Sequence, residues 1–332
     1  MKIPAEKLYS LVVMKMLIVL RQVLLLLLFS AAGYLLCKTK KADSSHAKLL
    51  SCLEIYVFLP CNAFNTFANN FTPAYLQERY PMLLASIALF LLLVLVSWPL
   101  ATVLTKERYR QQVLRYSLVV SNYGYMGYAL AGGLYGSEVL MSVMFFALPF
   151  TFFVYTVGYS ILTGNRFSAK RLVNPVTLAM ALGAVVGLTG LQVPEVIGSF
   201  MSKSVACLGP VGMLLTGMVM SEYRWSTLLR RWETYIVAFL RLLVIPCGAA
   251  AALLLLGMDW VVLPALLVLS MPCGMNAVVF GRLMGEDCES GASLALVTSL
   301  LSCVTIPFCL WLMGVYTESK KALCEAQRIL SF

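Results

Sequence analysis

The sequence predicts an all-α membrane protein of ten transmembrane helices, arranged as two inverted five-helix repeats with crossing broken helices in spans four and nine. Three observations carry that expectation. The 332 residues are 61% hydrophobic and 12% charged, with a mean hydropathy of +0.86, which is more apolar surface than a soluble domain of this length can hide. Apolar runs of roughly 20 residues, enough to cross the hydrocarbon of a bilayer, recur along the chain. Two of these runs are interrupted alike, by SNYGYMG at 121–127 and by SMPCGMN at 270–276.

The first run, 16–36, follows a segment that has no small-residue cleavage site behind its apolar stretch, so residues 1–15 read as interfacial rather than as a signal peptide. The second, 47–68, carries Glu54 and Pro60, and the third, 81–104, ends at a basic loop. The fourth, 112–134, holds Gly124 and Gly127, and the fifth, 139–162, holds Pro149. Asn174–Pro175 opens the sixth, 174–191, and Pro210 sits in the seventh, 200–220. Arg241 lies within the eighth, 234–256; Pro272 and Gly274 break the ninth, 260–281; Pro307 lies in the tenth, 290–315. Glycine weakens a helix interior by roughly 1 kcal/mol and proline by about 3, so two breaks at matching places need a reason. Discontinuous helices meeting at the bilayer midplane supply one.

The net charge of +10 follows the positive-inside rule rather than a nucleic-acid surface, and no nucleic-acid partner is expected. With the first span starting outside, inward loops carry Lys38, Lys40, Lys41 and Lys48; Lys106, Arg108, Arg110 and Arg115; Arg166, Lys170 and Arg171; Arg224, Arg230 and Arg231; and Arg282. Outward loops between spans hold only Arg79 and Lys203, which places both termini outside a cell membrane. Lys2, Lys7, Lys15 and Arg21, with Lys320, Lys321 and Arg328, argue the other way. The ten cysteines are scattered through the spans with no C-x-x-C pair. They read as small polarizable hydrophobes, with no metal and no disulfide framework expected.

A shift of about 150 residues brings Gly33 onto Gly183, Pro60 onto Pro210 and Gly136 onto Gly285. Each half then holds five spans, 16–165 and 172–316, and an odd number inverts the second half. Pro149 and Pro307 do not keep that register.

In their order and spacing, several short motifs resemble the auxin efflux carrier family: GYLL after the first span, YVFLP in the second, N-x-G-x-x-G in the fourth, Asn174–Pro175, MPCGMNA in the ninth, and the turn Gly285–Asp287. The resemblance runs from about residue 17 to 315. More distantly, that family resembles bile acid sodium symporters and sodium/proton antiporters. The resemblance implies a scaffold of spans 1, 2, 6 and 7 beside a transport unit of spans 3–5 and 8–10, and a homodimer through the scaffold. The chain departs from the pattern at Ala129, where a proline often stands, and at Tyr123, Tyr125 and Tyr128 around the break. It also lacks the long cytoplasmic loop of the plant carriers, so a plant hormone is not the expected cargo.

The breaks make a binding site without the resemblance. Unwound backbone needs hydrogen-bond partners, and helix amino ends carry partial positive charge that suits a carboxylate. Asn122 and Asn276 add amide donors and acceptors, Tyr123 adds a hydroxyl or an aromatic wall, and Gly124, Gly127, Pro272 and Gly274 shape the site. For Asn122 a helix cap is the competing role. Gly132–Gly133 reads as a close packing contact. Glu54 and Arg241 are candidates for proton coupling or charge balance, against side chains that reach the interface. Asp259, Glu138 and Asp287 sit at span ends, solvated.

Enzymatic chemistry is disfavoured. The single histidine, His46, lies in a charged loop, which leaves a metalloprotease or a Ser-His or Cys-His hydrolase short of residues. No G-x-x-x-x-G-K-[ST] or D-D-x-x-D motif occurs. No cofactor is expected. The reading is a secondary transporter of a small organic anion in the lipid bilayer, working by alternating access and driven by a gradient of protons, sodium or voltage. Two alternatives stay open: a sodium- or proton-coupled carrier of another amphipathic solute, and a channel-like membrane protein.

Overall fold

The computed structural model describes residues 5–162 and 174–330. Lys2, Arg166, Lys170 and Arg171 of the charge pattern lie outside the described residues, as do the boundaries 165 and 172 of the expected halves.

Every named element is helical. In chain order these are α1 (Ala5–Lys38), α2 (Ser44–Asn70), α3 (Pro73–Leu104), α4 (Arg108–Val119), α5 (Tyr128–Tyr135), α6 (Ser137–Phe146) and α7 (Leu148–Leu162). After the undescribed stretch come α8 (Pro175–Thr189), α9 (Glu195–Met220), α10 (Trp225–Arg230), α11 (Trp232–Leu255), α12 (Asp259–Leu269), α13 (Asn276–Met284) and α14 (Glu289–Leu330). Among the described residues five helices are long and apolar enough to cross a membrane: α2, α3, α9, α11 and the part of α14 at Glu289–Leu312. The pair Glu138–Phe146 and Leu148–Leu162, bent by 49°, makes a sixth if taken as one span. Large apolar side chains such as Leu95, Val103 and Leu255 stand exposed on α3 and α11, the surface a bilayer covers.

Helix α1 begins at Ala5 and runs unbroken into the first span, so residues 5–15 of the expected interfacial segment are helical and continuous with it. Asn174 starts α8 because its side-chain oxygen accepts the Val176 and Thr177 amides while the Thr177 hydroxyl takes its own N–H. Pro175 follows at the first turn, where a missing N–H costs nothing.

Prolines also explain two wide turns. Pro60 and Pro246 have no N–H to give, and each ring would collide with the carbonyl four residues back. The residue before each reaches back five instead, Leu59 to Glu54 and Ile245 to Leu240, which widens the helix at Glu54–Phe58 and Leu240–Val244. Pro149 starts α7 beyond the bend, whereas α14 runs straight through Pro307.

Glycines bring two helix pairs to backbone contact. Gly33 and Gly217 set α1 and α9 together, with Gly33 against the Leu214 carbonyl and Gly217 against the Ser30 carbonyl. Gly183 and Gly187 set α8 on α2, and a β-carbon added at Gly183 would stand 2.5 Å from the Phe64 carbonyl oxygen. Small residues of this kind let membrane helices gain dispersion contacts where water offers no driving force. Gly132–Gly133 is not such a contact: Gly132 would meet only the tip of Leu140, and Gly133 meets nothing within 4 Å. No backbone of a neighbouring helix approaches either glycine.

Charged side chains gather at helix ends. Arg282 grips Glu222 with two bonds of 2.6 and 3.1 Å and also donates to the Ser44 carbonyl at 3.0 Å. It thereby ties the end of α13 to the turn after α9 and to the start of α2. Tyr223 donates to Asp287 at 2.5 Å beside it. A second cluster joins Arg110, Arg231, Glu233 and Glu289 at the starts of α4, α11 and α14. His46, the single histidine, accepts the Asp43 amide in the α1–α2 turn.

Candidate functional site

Both sequence breaks are real, and they meet. Residues 120–122 and 272–274 leave their helices and pair antiparallel, with Ser121 opposite Cys273. The Asn122 N–H donates to the Pro272 carbonyl at 2.7 Å, and the Gly274 N–H to the Val120 carbonyl at 3.2 Å. The Cys273 N–H is taken by the Thr298 hydroxyl at 3.0 Å, and the Ser121 hydroxyl donates to the Val268 carbonyl. An unpaired peptide group at this depth costs several kcal/mol. The two breaks therefore satisfy much of each other's backbone, and a bound molecule is left chiefly with side chains. This corrects the expectation that the unwound peptide groups themselves wait for a ligand.

Beyond the pairing, the chain re-enters a helix on both sides. The Asn122 carbonyl accepts from Met126 and Gly127, which begins a wide turn at Tyr123–Gly127 that leads into α5. On the other side α13 begins at Asn276. Two helix amino ends thus converge, each carrying partial positive charge.

A small cavity of about 30 Å³ lies against these ends, lined by Asn122, Tyr123, Gly124, Gly274 and Asn276, with Val120, Ser121 and Met275. Leu59 and Asn62 from α2, Val154 and Tyr155 from α7, and Leu208 from α9 close it. That is room for one or two waters, so an organic anion needs the walls to part. The larger cavity, about 260 Å³ between α3 and α11, has an almost wholly aliphatic lining and suits a lipid tail rather than a charged solute.

The side-chain oxygens of Asn122 and Asn276 are buried in this cavity with no hydrogen-bond partner. Asn122 makes no capping bond, so the cap role weighed against the site is not the one it plays here. The Asn276 amide donates to the Tyr116 hydroxyl at 3.1 Å. Tyr123 shares a 3.0 Å hydrogen bond with Thr151, which leaves its ring as cavity wall. A β-carbon at Gly124 would meet nothing within 4 Å, so this glycine faces open space. Gly127 sits differently: a β-carbon there would stand 2.6 Å from the Leu267 carbonyl, so the residue lets α5 pack on α12. Pro272 serves through its carbonyl in the pairing and does not line the cavity.

Sequence reading missed Asn62, which donates to the Tyr155 hydroxyl at 3.4 Å at the cavity wall. Its signal was available, since an asparagine two residues after Pro60 in an apolar span needs a partner. Tyr116 and Tyr155 gave no such signal, because tyrosine is common in spans and at interfaces alike.

Arg241 and Glu54 both differ from the interfacial side chains weighed for them. Each is fully buried, at 0% exposure. A residue within a helix that widens around it is held off the surface by its neighbours, and neither reaches water. Glu54 lies within Coulombic reach of Tyr155, and the Arg241 Nη1 donates to the Leu118 carbonyl at 3.3 Å, behind the pairing. Nine free cysteines are present among the described residues, and no group of histidine, cysteine and carboxylate side chains there has metal-binding spacing.

A family model described as membrane transport protein matches residues 18–168 and again 165–310, once for each half of the chain. A protein named as an uncharacterized transporter in Methanocaldococcus jannaschii is 26% identical over 309 residues, which is 88% of this chain and 97% of that one. Another, so named in Methanothermobacter thermautotrophicus, is 26% identical over 208 residues, covering 60% of this chain and 66% of its own length.

Proposed function

The chain belongs to the membrane transport protein family, that of the auxin efflux carriers, and on that premise we propose that it is a secondary transporter of a small organic anion, a carboxylate, working by alternating access. Family membership makes it an integral, multi-pass membrane transporter. The cargo class rests on one observation, the cavity where two helix amino ends converge beside the amide side chains of Asn122 and Asn276, whose oxygens have no hydrogen-bond partner. Amides turn about their last bond to offer either N–H or oxygen, which lets the pair hold a carboxylate in either protonation state.

Ten spans in two inverted halves are part of the reading. Helical segments at all ten expected positions support it, and so do two pairs of left-handed residues at equivalent places, Lys40 with Gly190 and Gly136 with Gly285. Gly33 meets Leu214 and Gly183 meets Phe64, the same contact under a shift of about 150 residues. The glycine-packed pairs α1–α9 and α2–α8 form the scaffold in this reading, the crossing helices belong to the moving unit, and the scaffold pairs with a second copy. Both termini lie outside.

Purified protein in liposomes takes up labelled carboxylate saturably if this is right, and Asn122→Ala abolishes uptake while leaving the folded protein intact. Unchanged transport by that variant removes Asn122 from the site, and flux that rises linearly with concentration indicates a channel. Coupling is read in the same assay. The free amide oxygens are ligands that sodium accepts, and Glu54 is a carboxyl that can carry a proton. Imposed sodium and proton gradients separate the two.

A further inference from the structure

Four half-helix ends meet at the crossing, and their charges nearly cancel. The carboxyl ends of α4 and α12 each carry about half a negative charge, and the amino ends that open α5 and α13 each about half a positive one. Helix ends alone therefore give this place only a weak preference for an anion, that of the amino ends against the cavity.

Arg241 breaks the balance. It sits in the wide turn Leu240–Val244 of α11 with no exposure to solvent. Its Nη1 donates to Leu118, in the last turn of α4, and the Cys273 thiol of the crossing strand lies within Coulombic reach. Its Nε and Nη2 have no hydrogen-bond partner, and it forms no ion pair with any described carboxylate. A whole positive charge, buried and with no counter-ion among the described residues, therefore lies against the negative end of α4. Burial of an unpaired guanidinium costs more than a structural role repays, since an apolar side chain of similar volume would pack there without that penalty.

We infer that Arg241 sets the charge sign of the cargo. It cancels the negative ends of α4 and α12 and leaves the positive ends of α5 and α13 to face the cavity, so the crossing attracts an anion. Arg241 is thus a positioning and specificity-determining residue that acts through the crossing and need not touch the cargo. This rests on the proposed anion site, and it adds the source of the charge preference.

The test compares benzoate with benzamide, which match in size and differ in charge, by thermal shift on detergent-purified protein. The aromatic walls Tyr123 and Tyr155 make an aryl carboxylate a suitable probe. Wild type binds benzoate about tenfold or more tightly than benzamide, the scale of a charge effect at partly buried helix ends. Arg241→Met loses that ratio, while Arg241→Lys, which keeps the charge, restores it. A ratio that survives in Arg241→Met overturns the inference. If wild type binds neither probe in preference, the anion site itself fails, and the inference with it. A measurement on wild type stands even if Arg241→Met does not fold: a dry fixed charge is little screened, so benzoate affinity changes less than about twofold between low and high salt. A steep fall with salt assigns the preference to exposed charges instead.

Discussion

Asn122 and Pro272, 150 residues apart in the chain, share a 2.7 Å hydrogen bond from the amide of one broken helix to the carbonyl of the other. Neither break is therefore stable alone. With the partner strand removed, the Asn122 and Gly274 N–H groups would be buried at membrane depth without the carbonyls they bond here. The pairing makes the two half-helix pairs one unit and points both amino ends at one place.

Asn122 and Asn276 act on cargo in the proposed site, so alanine at either weakens binding without unfolding the protein. Hydrogen bonds to a charged partner contribute about 1.5–3 kcal/mol, and each variant should lose ~10- to 100-fold in carboxylate affinity. Isothermal titration, or thermal shift over a concentration series, reads this. Loss at Asn122 alone would make Asn276 a mere support for Tyr116.

Gly183 lies where α8 touches α2 through backbone. Gly183→Val forces the helices apart and costs about 3 kcal/mol, the upper range of overpacking in a formed core. Gly198 in α9 has nothing within 4 Å of where a β-carbon would stand, and Gly198→Ala is neutral or slightly stabilising. Melting temperatures in one detergent compare the two, and equal melting of the variants would mean that α8 and α2 are not held by this contact.

Arg282 and Glu222 form a bidentate pair with side chains 20% and 26% exposed. Arg282→Gln and Glu222→Gln each cost about 1–2 kcal/mol, and the double variant costs less than their sum, because each single change strands the other partner. Chemical denaturation of the three variants measures the coupling. Simple additivity would show that the pair contributes nothing together.

Tyr223, between α9 and α10, holds its proton above the usual phenol range, first because it is half-buried and then because it donates to the Asp287 carboxylate. The folded state favours the neutral phenol, so its contribution is complete below pH 10 and is lost as pH rises beyond that value. Tyr223→Phe should melt lower than wild type at pH 8, and the gap should narrow above pH 10. A gap that widens with alkali contradicts the assignment.

Much of the fold was legible in the chain. Apolar runs located the helices because a bilayer demands apolar length. Gly124, Gly127, Pro272 and Gly274 marked the breaks because those residues weaken helices wherever they stand. The site was legible in part: Asn122 and Asn276 stood out as amides beside breaks and Asn62 as a lone amide in an apolar span, while no local pattern shows that Asn62 and Tyr155 reach the break from other spans or that Tyr116 meets Asn276. Gly132–Gly133 misled for the same reason, since a small pair invites packing only if a neighbour arrives.

Local chemistry, then, decided by itself that this is a helical membrane protein and where its spanning segments fail. Only the tertiary structure decided that the two failures complete each other, that Gly33 and Gly183 are among the glycines under backbone contact while Gly132 and Gly133 are not, and that Arg241 stays buried behind the crossing. Propensity and hydropathy act over a few residues, whereas a hydrogen bond across 150 positions, or a charge kept from water, depends on which segments the folded chain brings together.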